Sequence, residues 1–143
     1  MTTPAYVFPG QGSQSVGMGR DLAAASPAAA AVFAAADAAL GEPVSRLAFD
    51  GPAEILDRTE NAQPALLATS IAYLAAVRER WSTVGIEPPM AAFTAGHSMG
   101  QYSALVAAGV LGLEDGVRLV RRRGELMQAS GQGRDGAMAA IIG

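Results

Sequence analysis

The chain contains no cysteine, so disulfides, thiolate nucleophiles and Cys-ligated metal sites are excluded from its 143 residues. Lysine is absent as well: all ten basic residues are arginine. That removes Schiff-base catalysis and the lysine of a phosphate-binding P-loop. A single histidine, His97, confines imidazole chemistry to one position. Charged residues make up only 16% of the chain and the net charge is −3, which gives no reason to expect nucleic acid as a partner. Long apolar runs are missing too. The most Ala-rich stretch, Leu22 to Leu40, is broken by Pro27 and Asp37 and cannot span a bilayer. Met1-Thr2-Thr3-Pro4 lacks the basic start of a signal peptide, so a reducing, cytoplasmic setting with no membrane partner is expected.

Half of the residues are apolar, enough to build a core, and the length suits one domain or a piece of one. Ala5-Tyr6-Val7-Phe8, ended by Pro9-Gly10, reads as a buried first strand. A glycine-rich loop follows, from Gly10 to Gly19, then a helical turn over 21–25. Ser26-Pro27 reads as a cap and first position of a helix reaching Leu40, with Gly41 as its stop. A short segment over 42–51 carries Leu47 and Phe49, and a short helix is expected over 52–57. Asn61-Ala62-Gln63-Pro64 opens the longest helix, to about Trp81, with Leu67, Ile71, Leu74 and Trp81 on one face. Met90 to Ala95 reads as a second strand, Tyr102 to Val110 as a helix, Leu113 to Ser130 as another, and Ala137 to Ile142 as a third strand. Strands separated by helices predict an α/β layer structure with a parallel sheet. Such a sheet wants helices on both faces. The last strand has nothing after it to cover it, so the 143 residues are expected to form an incomplete domain.

The chain is organised around Gly96-His97-Ser98-Met99-Gly100. Strand, Gly-x-Ser-x-Gly, helix is the context of a nucleophile elbow, where the serine is thrust out of the sheet edge by a turn too crowded for side chains at the flanking glycines. The helix behind it is expected to point free N–H groups at the site, where negative charge would develop. Ser98 is the candidate nucleophile; the alternative is a glycine-rich turn with an ordinary serine. The loop from Gly10 to Gly19 fails as a phosphate site, since Ser15 stands where the dinucleotide fingerprint needs glycine. An oxyanion hole takes one N–H from the residue after the nucleophile, here Met99, and one from a loop after a different strand. Gln11 is the candidate for the second donor; a flexible connector is the equal alternative.

On a helical wheel of about 100° per residue, Val117, Val120, Gly124 and Met127 form one apolar stripe. Arg118, Arg121 and Arg122 fall on the other side and read as a solvated face, or as a docking patch for an acidic partner or coenzyme A phosphates. Arg123 sits beside Val120 and Met127, aimed inward. A buried guanidinium needs a bidentate carboxylate or phosphate. The wheel alone favours an internal pair with Glu60 or Asp57 over a substrate carboxylate. His97 precedes the serine in the elbow, so its side chain is expected to point away and to pack rather than act as base.

Phe8-Pro9-Gly10-Gln11-Gly12-Ser13-Gln14, Gly17-Met18-Gly19, Gly96-His97-Ser98-Met99-Gly100, and Arg123-Gly124 with Met127 together resemble the malonyl-CoA:acyl carrier protein transacylases and the acyltransferase domains of polyketide and fatty acid synthases. The resemblance covers the whole chain but only the first half of that family's fold. It implies an α/β-hydrolase-like acyltransferase core, with residues 1–143 as the N-terminal part of its large α/β subdomain and a ferredoxin-like subdomain beginning near residue 143. It implies malonyl transfer from malonyl-CoA to acyl carrier protein through a Ser98 ester. Gln11 and Met99 would form the oxyanion hole, Arg123 would bind the malonyl carboxylate, and no cofactor or metal would be needed. It implies that the catalytic histidine lies outside this segment. Gln101 departs from the family's usual glutamate; losing that charge in the first helical turn costs a few tenths to ~1 kcal/mol. Two rival readings remain: an α/β-hydrolase esterase, and a non-catalytic fragment that binds carrier protein.

Overall fold

The computed structural model describes residues 4–88 and 90–131. In chain order these form β1 (Ala5–Phe8), α1 (Arg20–Ala25), α2 (Pro27–Leu40), α3 (Val44–Asp50), α4 (Ala53–Leu56), α5 (Thr59–Thr83), β2 (Phe93–Gly96), α6 (Gly100–Ala107) and α7 (Leu113–Gly131). The strands pair in parallel, with Ala5 opposite Phe93 and Phe8 opposite Gly96. A parallel pair requires a crossover, and α1 to α5 supply it. Successive strand residues alternate between faces. Phe8 turns inward and is buried, whereas Val7 and Phe93 turn out and are 76% and 73% exposed. The sheet is therefore covered on one face only among the described residues. The third strand expected over 137–142 lies outside them.

The predicted ends of α2 hold. Ser26 accepts a hydrogen bond from the Ala29 N–H at 3.1 Å, Pro27 occupies the first helical position, and Gly41 ends the helix at φ 69°. Such a serine cap contributes ~1 kcal/mol. The segment over 42–51 is largely the helix α3. Its Phe49 meets Phe33 of α2 edge to face, with ring centroids 4.8 Å apart.

Helix α5 runs through the middle of the core. Every residue from 62 to 69 is buried, and from there the buried line continues through Ala72 and Ala76. Of the face expected from the spacing, Leu67 is fully buried and Ile71, Leu74 and Trp81 are partly so. The deepest stripe is instead Ala65, Ala68, Ala72 and Ala76. Helix separation follows the side chains at the contact, so alanines let α5 close on neighbours that also present Ala29 and Ala36.

The start of α5 is Thr59 rather than Asn61, which places Pro64 inside the helix. Proline has no N–H to give to the carbonyl four residues back. That carbonyl, of Glu60, accepts instead from Arg121 Nη1 at 2.9 Å. Arg121 also donates to Asn61 Oδ1 and pairs with Glu42, and its side chain is only 14% exposed. The expected solvated face of α7 is corrected accordingly. Arg118 and Arg122 do lie in solvent, paired within the helix to Asp115 and Glu125. Arg121 does not, because the start of α5 and the α2–α3 turn close over its flank, which no helical wheel contains.

The apolar stripe of α7 is as predicted: Val117, Val120 and Gly124 are buried, and Met127 is half-buried. Gly124 lies where α7 touches the first turn of α5. A Cβ there would stand 2.6 Å from Glu60 Cα and 2.6 Å from the Thr59 carbonyl oxygen, both backbone atoms. Gly124→Val is expected to push the helices apart and to destabilise the fold by about 2–3 kcal/mol in urea unfolding. An unchanged unfolding midpoint would show that this contact is not what sets the helix spacing.

Candidate functional site

Strand β2 ends at Gly96, α6 begins at Gly100, and the three residues between make the turn. Ser98 has φ 53° and is the one non-glycine residue with positive φ among the described residues. That conformation costs ~1–2 kcal/mol and persists where the surroundings impose it. The surroundings here are backbone. A Cβ on Gly96 would meet the Gly100 carbonyl carbon at 2.0 Å, and a Cβ on Gly100 would meet the Phe8 carbonyl oxygen at 2.5 Å. The two flanking glycines are thus required by the approach of strand, turn and helix, and Ser98 sits on an elbow rather than an ordinary turn.

The end of β1 is pressed against the same turn. The His97 N–H donates to the Phe8 carbonyl at 3.2 Å. A Cβ on Gly10 would stand 2.7 Å from both the His97 carbonyl oxygen and Nδ1. His97 therefore packs on Gly10 behind the elbow, as expected from its place in the pentapeptide. The glycine loop continues from there and is strapped down by two glutamines. Gln11 Nε2 donates to Thr59 Oγ1 at 3.1 Å, and Gln14 Nε2 to Asp57 Oδ1 at 3.0 Å. Thr59 in turn gives its N–H to Gln128 Oε1 of α7 at 3.1 Å. The loop is tied to the helices that carry the rest of the site, which sets it apart from a loose connector.

The helix behind Ser98 differs from expectation in one respect. The N–H groups of Gly100, Gln101 and Tyr102 are turned back onto the carbonyls of His97, Ser98 and Met99 at 2.8–3.2 Å. The turn is too tight to leave them free. The N–H of Met99 has no acceptor among the described residues, and neither has that of Gln11. Met99 itself is 1% exposed, its side chain anchored in the core. Gln101, the departure from the family pattern, is exposed.

Arg123 reaches across from α7. Its Nη2 donates to Ser98 Oγ at 3.1 Å and its Nη1 to Gln63 Oε1 at 2.8 Å, and its guanidinium carbon lies 5.8 Å from the centroid of the Tyr102 ring. The internal carboxylate expected from the wheel is corrected: Asp57 is engaged by Gln14, and Glu60 contributes only its backbone carbonyl, to Arg121. No carboxylate pairs with Arg123 among the described residues. A half-buried cation with only neutral partners is an unsatisfied arrangement that an anionic ligand would complete. Beside it opens a cavity of about 500 Å³ lined by Tyr102, Leu119, Arg122, Arg123 and Met127. A groove of about 530 Å³ between β1 and α5 holds neither Ser98 nor Arg123 and plays no part in this arrangement.

Sequence reasoning named Ser98, Gln11, Met99 and Arg123 and missed Gln63 and Tyr102. Gln63 left a trace: it is the lone polar residue between Ala62 and Ala68. Tyr102 left none, since an aromatic one turn into a helix reads as core. No cluster of His, Asp or Glu among the described residues could hold a metal ion, and no helix of these residues is long and apolar enough to cross a membrane.

Comparison with known proteins adds to this geometry. The family model described as the acyl transferase domain matches residues 5–142. The malonyl CoA-acyl carrier protein transacylase of Bacillus subtilis (strain 168) is 52% identical over 143 residues, which is 100% of this chain and 43% of that protein. Among solved structures, the acyl-carrier-protein-S-malonyltransferase of Bartonella henselae superposes with a TM-score of 0.82 at 48% identity, covering 90% of this chain and 40% of that one. A malonyl-transacylase solved in complex with a type II polyketide synthase acyl carrier protein gives a TM-score of 0.77 at 46% identity, covering 90% and 40%. The chain thus spans about two-fifths of the length of the relatives it matches.

The strain at Ser98 can be tested apart from any chemistry. Glycine takes positive φ without the Cβ penalty, against which stands its greater loss of chain entropy. Ser98→Gly is therefore expected to be more stable than Ser98→Ala by about 1 kcal/mol in thermal or urea unfolding. Equal stability of the two variants would mean that the elbow is not strained.

Proposed function

The chain belongs to the acyl transferase domain family, and on that premise we propose that it carries the nucleophile-bearing part of an enzyme that moves a malonyl group from malonyl-CoA to the phosphopantetheine thiol of acyl carrier protein. Residues 1–143 would form the N-terminal part of the large α/β subdomain of such an enzyme. The setting is cytoplasmic fatty acid or polyketide synthesis, and malonyl-CoA is a substrate rather than a resident cofactor.

The observation that carries this reading is the placement of Arg123, with one nitrogen on Ser98 Oγ and no carboxylate partner among the described residues. A malonyl ester on Ser98 places its free carboxylate one methylene beyond the ester carbonyl, within reach of that guanidinium. Arginine presents two donors in a plane, matched to a carboxylate's two oxygens. An esterase acting on neutral acyl groups would leave this charge unanswered.

In the proposed reaction Ser98 Oγ attacks the thioester carbonyl and gives up its proton to a base. The oxyanion is held by the N–H groups of Met99 and Gln11, each such donor contributing ~3 kcal/mol in comparable sites. The carbon–sulfur bond breaks, CoA leaves as the protonated thiol, and the malonyl group stays on Ser98. The carrier protein's thiol then attacks the ester and restores the serine hydroxyl. The base comes from outside the described residues, because His97 packs on Gly10 and Ser98 Oγ meets only Arg123 among them.

Alone, the 143-residue chain is expected to give little or no turnover. Joined to the remaining length of the Bacillus subtilis relative, it is expected to form a malonyl ester that mass spectrometry locates on Ser98. Ser98→Ala should abolish that adduct, and a surviving adduct would refute the nucleophile. Arg123→Ala in the same chimera is expected to cut transfer from malonyl-CoA by about a hundredfold and to shift preference toward uncharged acyl-CoAs. Unchanged preference would remove Arg123 from carboxylate binding.

A further inference from the structure

Helix α7 carries four arginines, and three of them have a carboxylate partner. Arg118 has Asp115 at 3.1 Å, Arg122 has Glu125 at 3.0 Å, and Arg121 has Glu42. Among the described residues, Arg123 alone is met by a neutral amide, Gln63, which is wholly buried, and by no carboxylate. From this contrast we propose that Gln63 is a positioning residue that determines carboxylate selectivity, by aiming the Arg123 guanidinium while leaving its charge unneutralised. The proposal rests on the reading of Arg123 as the acyl carboxylate's partner.

The geometry makes Gln63 suited to that role in three ways. First, its orientation is determined. Arginine has only donors, so the amide oxygen must face it. The amide nitrogen is then left to the Met127 sulfur, which it meets at 3.4 Å. Arg123 and Met127 are four residues apart on one face of α7, so a single helix face clamps both ends of the amide. Second, the guanidinium is planar. With Nη1 held on Gln63 at 2.8 Å, the direction of Nη2 toward Ser98 Oγ follows, and the Tyr102 ring limits swing on another side. Third, Gln63 is itself immobilised. It sits in the first turns of α5, where Gly124 touches Thr59 and Glu60, and where Arg121 takes the carbonyl that Pro64 cannot.

A glutamate of the same size would make the same contact and spoil the site. Its carboxylate would satisfy Arg123 internally, and an incoming carboxylate would meet a neutral pair. A methionine would fill the space with only a weak sulfur acceptor in place of the amide oxygen, leaving the guanidinium charged but poorly aimed.

The test is titration calorimetry of the 143-residue chain with malonyl-CoA and with acetyl-CoA, which differ only in the carboxylate. The wild-type chain is expected to bind malonyl-CoA the more tightly. Gln63→Glu is expected to lose about tenfold or more in affinity for malonyl-CoA with acetyl-CoA binding unchanged. Gln63→Met, which guards against misfolding of the glutamate variant, should lose severalfold for malonyl-CoA only. Retained malonyl preference in either folded variant would overturn the role of Gln63 while leaving the carboxylate reading of Arg123 standing. Equal loss for both ligands would also overturn it, as the mark of a merely structural residue. Absence of any preference in the wild-type chain would overturn the carboxylate reading and this proposal with it.

Discussion

The contact of α7 with the first turn of α5 is the constraint on which the site depends. Backbone meets backbone there, because Gly124 leaves no Cβ between the helices. One residue before Gly124 stands Arg123, and three residues after it stands Met127, so the same close approach sets both ends of the Gln63 amide. On the far flank Arg121 supplies the donor that Pro64 lacks, and Gln128 takes the Thr59 N–H while the Thr59 hydroxyl holds Gln11. A single helix–helix junction thereby connects the guanidinium, the amide and the glycine loop. Moving α7 outward by even 1 Å would disturb all three, and catalytic and binding geometry tolerates little displacement.

The second constraint is steric and lies at the elbow. Ser98 is held at φ 53° by two glycines that have no room for a side chain, and by the end of β1, whose Phe8 carbonyl presses on Gly100. Neighbouring parallel strands bring these segments together, since Phe8 is paired with Gly96. The pairing that forms the sheet is therefore also what strains the serine. The buried Met99 side chain resists relaxation of the turn, because moving it would empty part of the core.

Four arginines within six residues of α7 serve different purposes. Arg118 and Arg122 sit in exposed i,i+3 pairs, which contribute little to stability. Arg121 is a structural cation, enclosed and matched by Glu42, Asn61 and the Glu60 carbonyl. Arg123, two positions away, is held without a counter-charge among the described residues. Neutral partners fix its direction while its attraction for an anion stays intact, and partial burial keeps that attraction from being screened away.

Much of this was legible in the residues. The pentapeptide around Ser98, with apolar sequence before it and helical sequence after, identifies the elbow, because that turn tolerates so few residues at its flanks. The caps Ser26 and Gly41 mark the ends of α2 for reasons local to the backbone, and the period of Val117, Val120 and Gly124 identifies the inward stripe of α7. The failures share one cause. The spacing of Leu67, Ile71, Leu74 and Trp81 marks one face of α5, but it does not show the neighbours that close instead on Ala65, Ala68, Ala72 and Ala76. Arg121 looked solvated, and Arg123 looked paired with an acid, because a helical wheel carries no neighbours. Local sequence, through backbone sterics and periodicity, determined where the serine turns and which side of α7 faces inward. Only the tertiary fold decided which arginine of α7 meets no carboxylate among the described residues, because that depends on which partners distant segments bring within hydrogen-bond range.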